Sequence, residues 1–115
     1  MKAAISWWDL SGSGQTIDSL RVYLRDEGVD PWTAIRGLRL KFWISDRINN
    51  RWGAVMLWDS DADLTAAMPP NRATELIGYP PTERMTTEVE AIVEGVHSGE
   101  LAERGLAFEA VGTSS

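Results

Sequence analysis

Cysteine is absent from this sequence, and histidine occurs only once, at His97. Without cysteine the chain can form no disulfide, perform no thiol chemistry and build no cysteine-ligated zinc site. The absence of cysteine does not indicate whether the protein resides in an oxidising or a reducing compartment. Any catalytic or metal-binding chemistry must therefore use other side chains.

Basic charge is also scarce. The 115 residues contain 11 Lys and Arg against 17 Asp and Glu, which gives a formal net charge of −6. Nucleic acids and anionic membranes are both bound through clusters of positive charge, and no basic run exceeds two residues. We therefore expect neither as a partner.

Long apolar runs are missing as well. The sequence contains no signal-peptide core and no apolar stretch of 18 residues. A membrane-spanning helix needs about 20 such residues. We expect a cytoplasmic protein without a leader or a span.

Tryptophan, in contrast, is abundant and outnumbers tyrosine and phenylalanine together. Each indole offers a large apolar surface and one N–H group that needs a partner when buried. The set indicates a Trp-rich core, an aromatic-lined cavity or a subunit interface. Its members are Trp7, Trp8, Trp32, Trp43, Trp52 and Trp58.

The hydrophobic pattern predicts the element order β-α-β-β-α-β. We expect strands over 3–10, 38–45, 52–58 and 85–94, with a hairpin turn at 47–50. Helices are expected over 16–27 and from 61 to 77, the second interrupted at Pro69-Pro70. Residues 98–111 are expected to add a short helix and a terminal strand.

This order is that of the ferredoxin-like α+β fold, an antiparallel sheet with helices on one face. We expect one domain over residues 1–111 and a flexible tail over 112–115.

The second and fourth strands carry opposite charges, Arg39 and Lys41 against Glu88 and Glu90. In a ferredoxin-like sheet these strands lie at opposite edges and cannot pair within one subunit. A partner stacked sheet on sheet would bring the two charged strands together. We therefore expect a homodimer through the sheet faces; the alternative is that all four charges face water.

Two glycine-led segments, Gly37-Leu38-Arg39-Leu40-Lys41-Phe42-Trp43 and Gly53-Ala54-Val55-Met56-Leu57-Trp58, carry a resemblance to a known family. The chain resembles the dimeric α+β barrel superfamily, in particular the small YdhR-like monooxygenases. The resemblance covers residue 3 to about residue 95, and it implies a homodimer and cofactor-independent oxygenation. It departs at Pro69-Pro70 and Tyr79-Pro80-Pro81, where the family has a continuous helix. The superfamily also contains polyketide cyclases, isomerases, haem-degrading enzymes and proteins without known activity, so fold alone does not decide the reaction.

Two short motifs resemble ligand-binding loops but lack residues that those loops require at fixed positions. Gly12-Ser13-Gly14 lacks the third glycine of a dinucleotide fingerprint, because Ile17 stands there. Asp59, Asp61 and Asp63 begin like a calcium loop but better suit helix capping. We expect no cofactor and no metal.

The aromatic residues are the best candidates for a small-molecule pocket between the sheet and its helices. The expected pocket contains Trp7, Trp32, Trp43 and Tyr79, with Tyr23 and Arg84 as polar groups. A general base would be His97 or Glu90, and Arg84 would stabilise a substrate anion.

Three functions fit this pocket. The first is a cofactor-independent monooxygenase acting on an aromatic or polyketide-like compound. The second is a polyketide cyclase or isomerase, and the third is a non-catalytic dimeric binding or assembly protein.

Overall fold

The computed structural model describes residues 1–59, 72–96, 99 and 101–112, which form an α+β domain. Its strands are β1 Lys2–Asp9, β2 Leu38–Asp46, β3 Arg51–Trp58 and β4 Glu83–Glu88, and its helices are α1 Ile17–Tyr23, α2 Arg72–Ile77 and α3 Leu106–Gly112. Short 3₁₀ turns cover Leu10–Gly12 and Asp30–Trp32. None of the helices in these ranges is long and apolar enough to cross a bilayer.

The four strands form one antiparallel sheet in the order β2-β3-β1-β4. This order is compatible with a ferredoxin-like domain and puts β2 and β4 at opposite edges, as predicted. Strand β3, apolar on both faces in the sequence, is an interior strand. Residues directly opposite each other in neighbouring strands share a face, so the register defines two faces.

The β2–β3 hairpin turns over residues 47–50, as predicted. Asn49 donates from its backbone N–H and its side chain to the two carboxylate oxygens of Asp46, at 3.2 and 2.7 Å. These bonds, together with one from Arg51, hold the pKa of Asp46 below its usual value. Asn50 has a φ of 52°, a left-handed conformation that asparagine tolerates.

Helix α1 begins at a capping box. The Thr16 hydroxyl accepts the Ser19 backbone N–H at 3.0 Å, and the Ser19 hydroxyl accepts the Thr16 N–H at 2.8 Å. The helix continues into a π-helical turn over Leu24–Gly28. The predicted helix over 16–27 is therefore confirmed in extent, with a change of hydrogen-bond pattern at Leu24.

The hydrophobic core lies on one side of the sheet, beneath all three helices. Trp8 and Trp52, paired across β1 and β3, pack against helical side chains. The indole N–H of Trp8 donates to the Tyr79 carbonyl at 3.0 Å, so this buried ring has a polar partner. The remaining buried members are Leu10, Ile17, Leu20, Leu24, Ile77 and Ala107.

The opposite face of the sheet is apolar and open. Leu40, Phe42 and Met85 are exposed at 43%, 46% and 56%. Phe42 lies opposite Val55, and Met85 lies opposite Ile5 in the next pair of strands. The expectation that the mixed face of β2 would be the open one is wrong: the helices cover the side with Lys41, and the side with Leu40 and Phe42 is exposed.

The end of the sheet also differs from expectation. Strand β4 ends at Glu88, not at residue 94, because Lys2 is its last partner in β1. The Val89 N–H still reaches the Met1 carbonyl at 3.1 Å.

The expected terminal strand with Leu106 and Phe108 is wrong, since these residues lie in α3. Ala107 on this helix is buried in the core, and the helix packs on α1. Helix α2, Arg72–Ile77, corresponds to the last part of the helix predicted from 61 to 77. The beginning of that predicted helix and its break at Pro69-Pro70 lie outside the described residues, as does most of the predicted tail.

Candidate functional site

A cavity of about 180 Å³ lies between the covered face of the sheet and the elements above it. All four strands contribute to it, together with Trp32 from a 3₁₀ turn and Ala73 from α2. Its walls are mainly apolar, with a few polar groups. The lining residues are Ala4, Ser6, Trp8, Trp32, Lys41, Trp43, Trp52, Ala54, Met56, Ala73, Arg84 and Thr86.

Lys41 is the central polar residue of this cavity. Its Nζ atom lies 3.1 Å from the ring centroid of Trp32 and 4.9 Å from that of Trp43. Strand periodicity explains the second contact, since Lys41 and Trp43 are two residues apart on β2. The first contact depends on the 3₁₀ turn Asp30–Trp32, which positions the Trp32 ring. Pro31 fits the first turn because a backbone N–H group there would have no partner within the turn.

Burial changes the acid–base properties of Lys41. Loss of water around the ammonium lowers the pKa of Lys41 to about 7. The ring faces of Trp32 and Trp43 act in the opposite direction, because their negative π clouds attract a cation. The side chain thus exchanges between ammonium and amine near neutral pH.

The charged groups among the described lining residues are both basic. They are Lys41 and Arg84, and no carboxylate accompanies them in this wall. A chain of net charge −6 therefore contains a locally positive cavity.

Strands β1 and β4 add two hydroxyl groups beside Arg84. Ser6 is buried and lies opposite Arg84, while Thr86 is one position along the same face, opposite Ala4. These groups offer two hydroxyls and one guanidinium to a ligand. An apolar cavity with a few convergent polar groups is the usual form of a small-molecule site.

The structure brings together three of the residues proposed for the pocket, Trp32, Trp43 and Arg84. It separates Trp7 from them, because Trp7 lies on the open face opposite Gly53. A Cβ atom on Gly53 would lie 2.5 Å from the Ser6 carbonyl and 2.9 Å from the Trp7 ring, so glycine is required for this close approach. The Arg51 guanidinium lies 4.3 Å from the Trp7 ring centroid.

The two tyrosines lie outside the cavity wall. Tyr79 packs against the core, its hydroxyl donates to the Asp9 carbonyl, and its own carbonyl accepts the Trp8 indole. Tyr23 is a partly buried residue of α1. The contacts of Tyr79 tie the loop before β4 to the end of β1.

The two proposed general bases are not at the cavity either. Glu90 is exposed and lies two residues beyond the end of β4. His97 is outside the described residues. Within the described ranges, no group of three His, Asp or Glu residues could hold a metal ion.

Lys41 is the residue that sequence reasoning misplaced. Period two puts Lys41 and Trp43 on the same face of β2, so placing Trp43 in the pocket already implies Lys41 there. The acidic residues Glu88 and Glu90 instead led to the expectation that Lys41 contacts a partner subunit.

No protein-family model matches the chain, and no curated protein matches it.

Proposed function

We propose that the chain is a small-molecule enzyme that binds a single-ring aromatic compound in the Lys41 cavity and removes a proton from it. The observation that carries this proposal is an amine held between two indole rings in a cavity whose charged lining groups are Lys41 and Arg84. The size of the cavity, about 180 Å³, favours one ring, since a dry cavity of about 150 Å³ holds benzene.

Lys41 is the proton acceptor in this proposal. A base with a pKa near the working pH is efficient because it is available unprotonated and still has useful proton affinity. Lys41 in its neutral form takes the proton of a phenol or of an enolisable carbonyl compound. The resulting ammonium and the Arg84 guanidinium then stabilise the anion.

The fate of the anion defines the reaction class. With dioxygen as second substrate, a phenol gives a quinone and water, which is the cofactor-independent oxygenation implied by the family resemblance. Without dioxygen, an enolate is reprotonated or attacks a second carbonyl, which is isomerase or cyclase chemistry. The cavity supports the shared first step in both routes.

The proposal includes a homodimer of the α+β barrel type, with a ferredoxin-like subunit. The open face around Leu40, Phe42 and Met85 supports it, because these side chains are exposed on one flat surface. Ile5 and Val55 lie beside them on the same face, so the centre of the face is apolar, while Arg51 and Glu83 lie at one end. Contiguous exposed apolar patches commonly mark interaction sites. A second copy presents the same apolar surface, so two such faces match across a two-fold axis.

Calorimetric titration and an oxygen electrode test the catalytic proposal. We expect single-ring phenols to bind the wild type and Lys2→Met alike, and Lys41→Met to lose turnover. Oxygen uptake with quinone formation identifies the monooxygenase; exchange of solvent deuterium into an enolisable ketone without oxygen uptake identifies the isomerase or cyclase. Binding without either reaction leaves the non-catalytic binding protein, and no binding contradicts the proposed pocket.

A further inference from the structure

The chain has two lysines in very different surroundings. Lys2 is exposed at the start of β1, whereas Lys41 lines the cavity. Lys2 therefore serves as an internal reference for the reactivity of the Lys41 amine. The third amine is the α-amino group of Met1.

The surroundings of Lys41 suit a nucleophile as well as a base. Its amine is inside a cavity with aromatic walls, where a flat ligand can stack on Trp32 or Trp43 once the side chain leaves the ring face. Within the described part of the chain, Lys41 has no carboxylate partner that would hold it as an ammonium. Desolvated lysines of this kind are the ones that form Schiff bases.

We propose that Lys41 forms an imine with an aryl aldehyde or aryl ketone bound in the cavity. This inference rests on the proposed small-molecule pocket and names a substrate class for it. The substrate decides between the two roles of Lys41: a carbonyl carbon is attacked by the amine, whereas a phenol only transfers its proton.

The reaction is balanced without a redox partner. The nitrogen lone pair forms the C–N bond while the C=O π electrons move to oxygen, which takes up a proton and gives a carbinolamine. In the carbinolamine the nitrogen has given up one of its two protons. The hydroxyl then takes up a second proton and leaves as water while the nitrogen lone pair forms the C=N bond. The nitrogen finally loses its last proton, so amine and carbonyl give imine and water. Arg84 can stabilise the oxyanion, and the hydroxyls of Ser6 and Thr86 lie in the same wall to exchange protons with it.

Reductive trapping tests the inference. The folded wild type is incubated with benzaldehyde and cyanoborohydride at pH 7, and the benzyl groups are located by peptide mass mapping. We expect Lys41 to be labelled at least about tenfold faster than Lys2, because the cavity holds the aryl ring beside the Lys41 amine and a larger fraction of a lysine of lowered pKa is neutral at this pH. Propanal has no ring to bind in the cavity, so it should show a smaller preference, which comes from the neutral fraction alone.

Matched variants identify the site. Lys41→Arg keeps a cation between the indoles and should lose the label, while Lys2→Arg should keep it. Equal or slower labelling of Lys41 compared with Lys2 would overturn the inference.

Phenol binding, measured by calorimetry in the same samples, separates the two proposals. If phenol binds and Lys41 is not labelled preferentially, the imine is contradicted and the proposed pocket stands. If phenol does not bind and Lys41 is not labelled, both are contradicted.

Discussion

The two faces of the sheet differ in chemistry and in cover. The face under the helices holds the buried indoles of Trp8 and Trp52, and beside them an amine, a guanidinium and two hydroxyls around a cavity. The other face is apolar at its centre, and Leu40 and Phe42 are exposed there. The open face also carries charged groups, such as Arg51 beside Trp7, but they lie at one end of the sheet. This difference supports the two proposals made above, a ligand on the covered face and a second copy of the chain on the open face.

The largest effect is expected from placing a charge on the open face. Phe42→Glu should convert a dimer into a monomer, because a two-fold interface buries the new carboxylate twice without a partner. A buried unpaired charge costs about 3–5 kcal/mol, so association should weaken by at least about a thousandfold. Analytical ultracentrifugation measures this.

The control for that change is Ile48→Glu, which makes the same kind of substitution at a residue 96% exposed in the hairpin turn. It should leave association unchanged. A wild type that sediments as a monomer at high micromolar concentration would remove the open face as a dimer interface.

Shortening a leucine on each face should change the free energy of unfolding by different amounts. Leu20 is 1% exposed under the helices, so Leu20→Ala should lower the free energy of unfolding by about 2–5 kcal/mol. Leu40→Ala on the open face should cost less than about 1 kcal/mol in the monomer. Urea unfolding of both variants at low protein concentration checks this, and equal losses would mean that the open face is covered within the subunit.

The pH dependence of stability depends on Lys41. Its pKa is about 7 in the folded chain and near the ordinary value of about 10.4 when unfolded. Between these values the unfolded chain binds one more proton, so the free energy of unfolding rises with pH by up to about 1.4 kcal/mol per unit. Below about pH 7 both states are protonated, and this contribution to the slope disappears.

Lys41→Met removes that contribution. Its stability should rise less steeply than that of the wild type from pH 7 to pH 10, while Lys2→Met keeps the wild-type slope. Urea unfolding across this range measures the difference. Parallel curves for the wild type and Lys41→Met would contradict the lowered pKa.

The smallest effect is expected at Tyr79. Tyr79→Phe removes the hydrogen bond from its hydroxyl to the Asp9 carbonyl, which should lower the free energy of unfolding by about 1 kcal/mol. Phenol affinity should stay within about twofold, which is a change of less than about 0.5 kcal/mol. A large loss of phenol affinity without a loss of free energy of unfolding would show that Tyr79 belongs to the pocket.

Much of the fold could be predicted from local sequence. Thr16 and Ser19 mark the start of α1, and alternating residues mark β2. The end of β4 could not be predicted in this way, because the alternating pattern continues to residue 94 while the pairing with β1 ends at Lys2 and Glu88. The strand expected at Leu106 and Phe108 failed because two apolar residues at a spacing of two also occur in a packed helix.

The site was predictable in part. The cavity and three of its residues, Trp32, Trp43 and Arg84, follow from the aromatic pattern and the strand order. The pattern of β2 separates its two faces, but it does not say which face the helices cover. That choice is made by distant residues such as Trp8 and Ile77, so Lys41 was assigned to the wrong side.

The most direct test of the account is the titration of the two lysines by NMR, with isotope-labelled lysine and the ε-methylene signals as the readout. The account predicts that the signal that disappears in Lys41→Arg has a midpoint near pH 7. A midpoint near the ordinary lysine value of about 10.4 for that signal would contradict the account. Lys41 would then remain an ammonium in the cavity and could act neither as a base nor as a nucleophile at neutral pH.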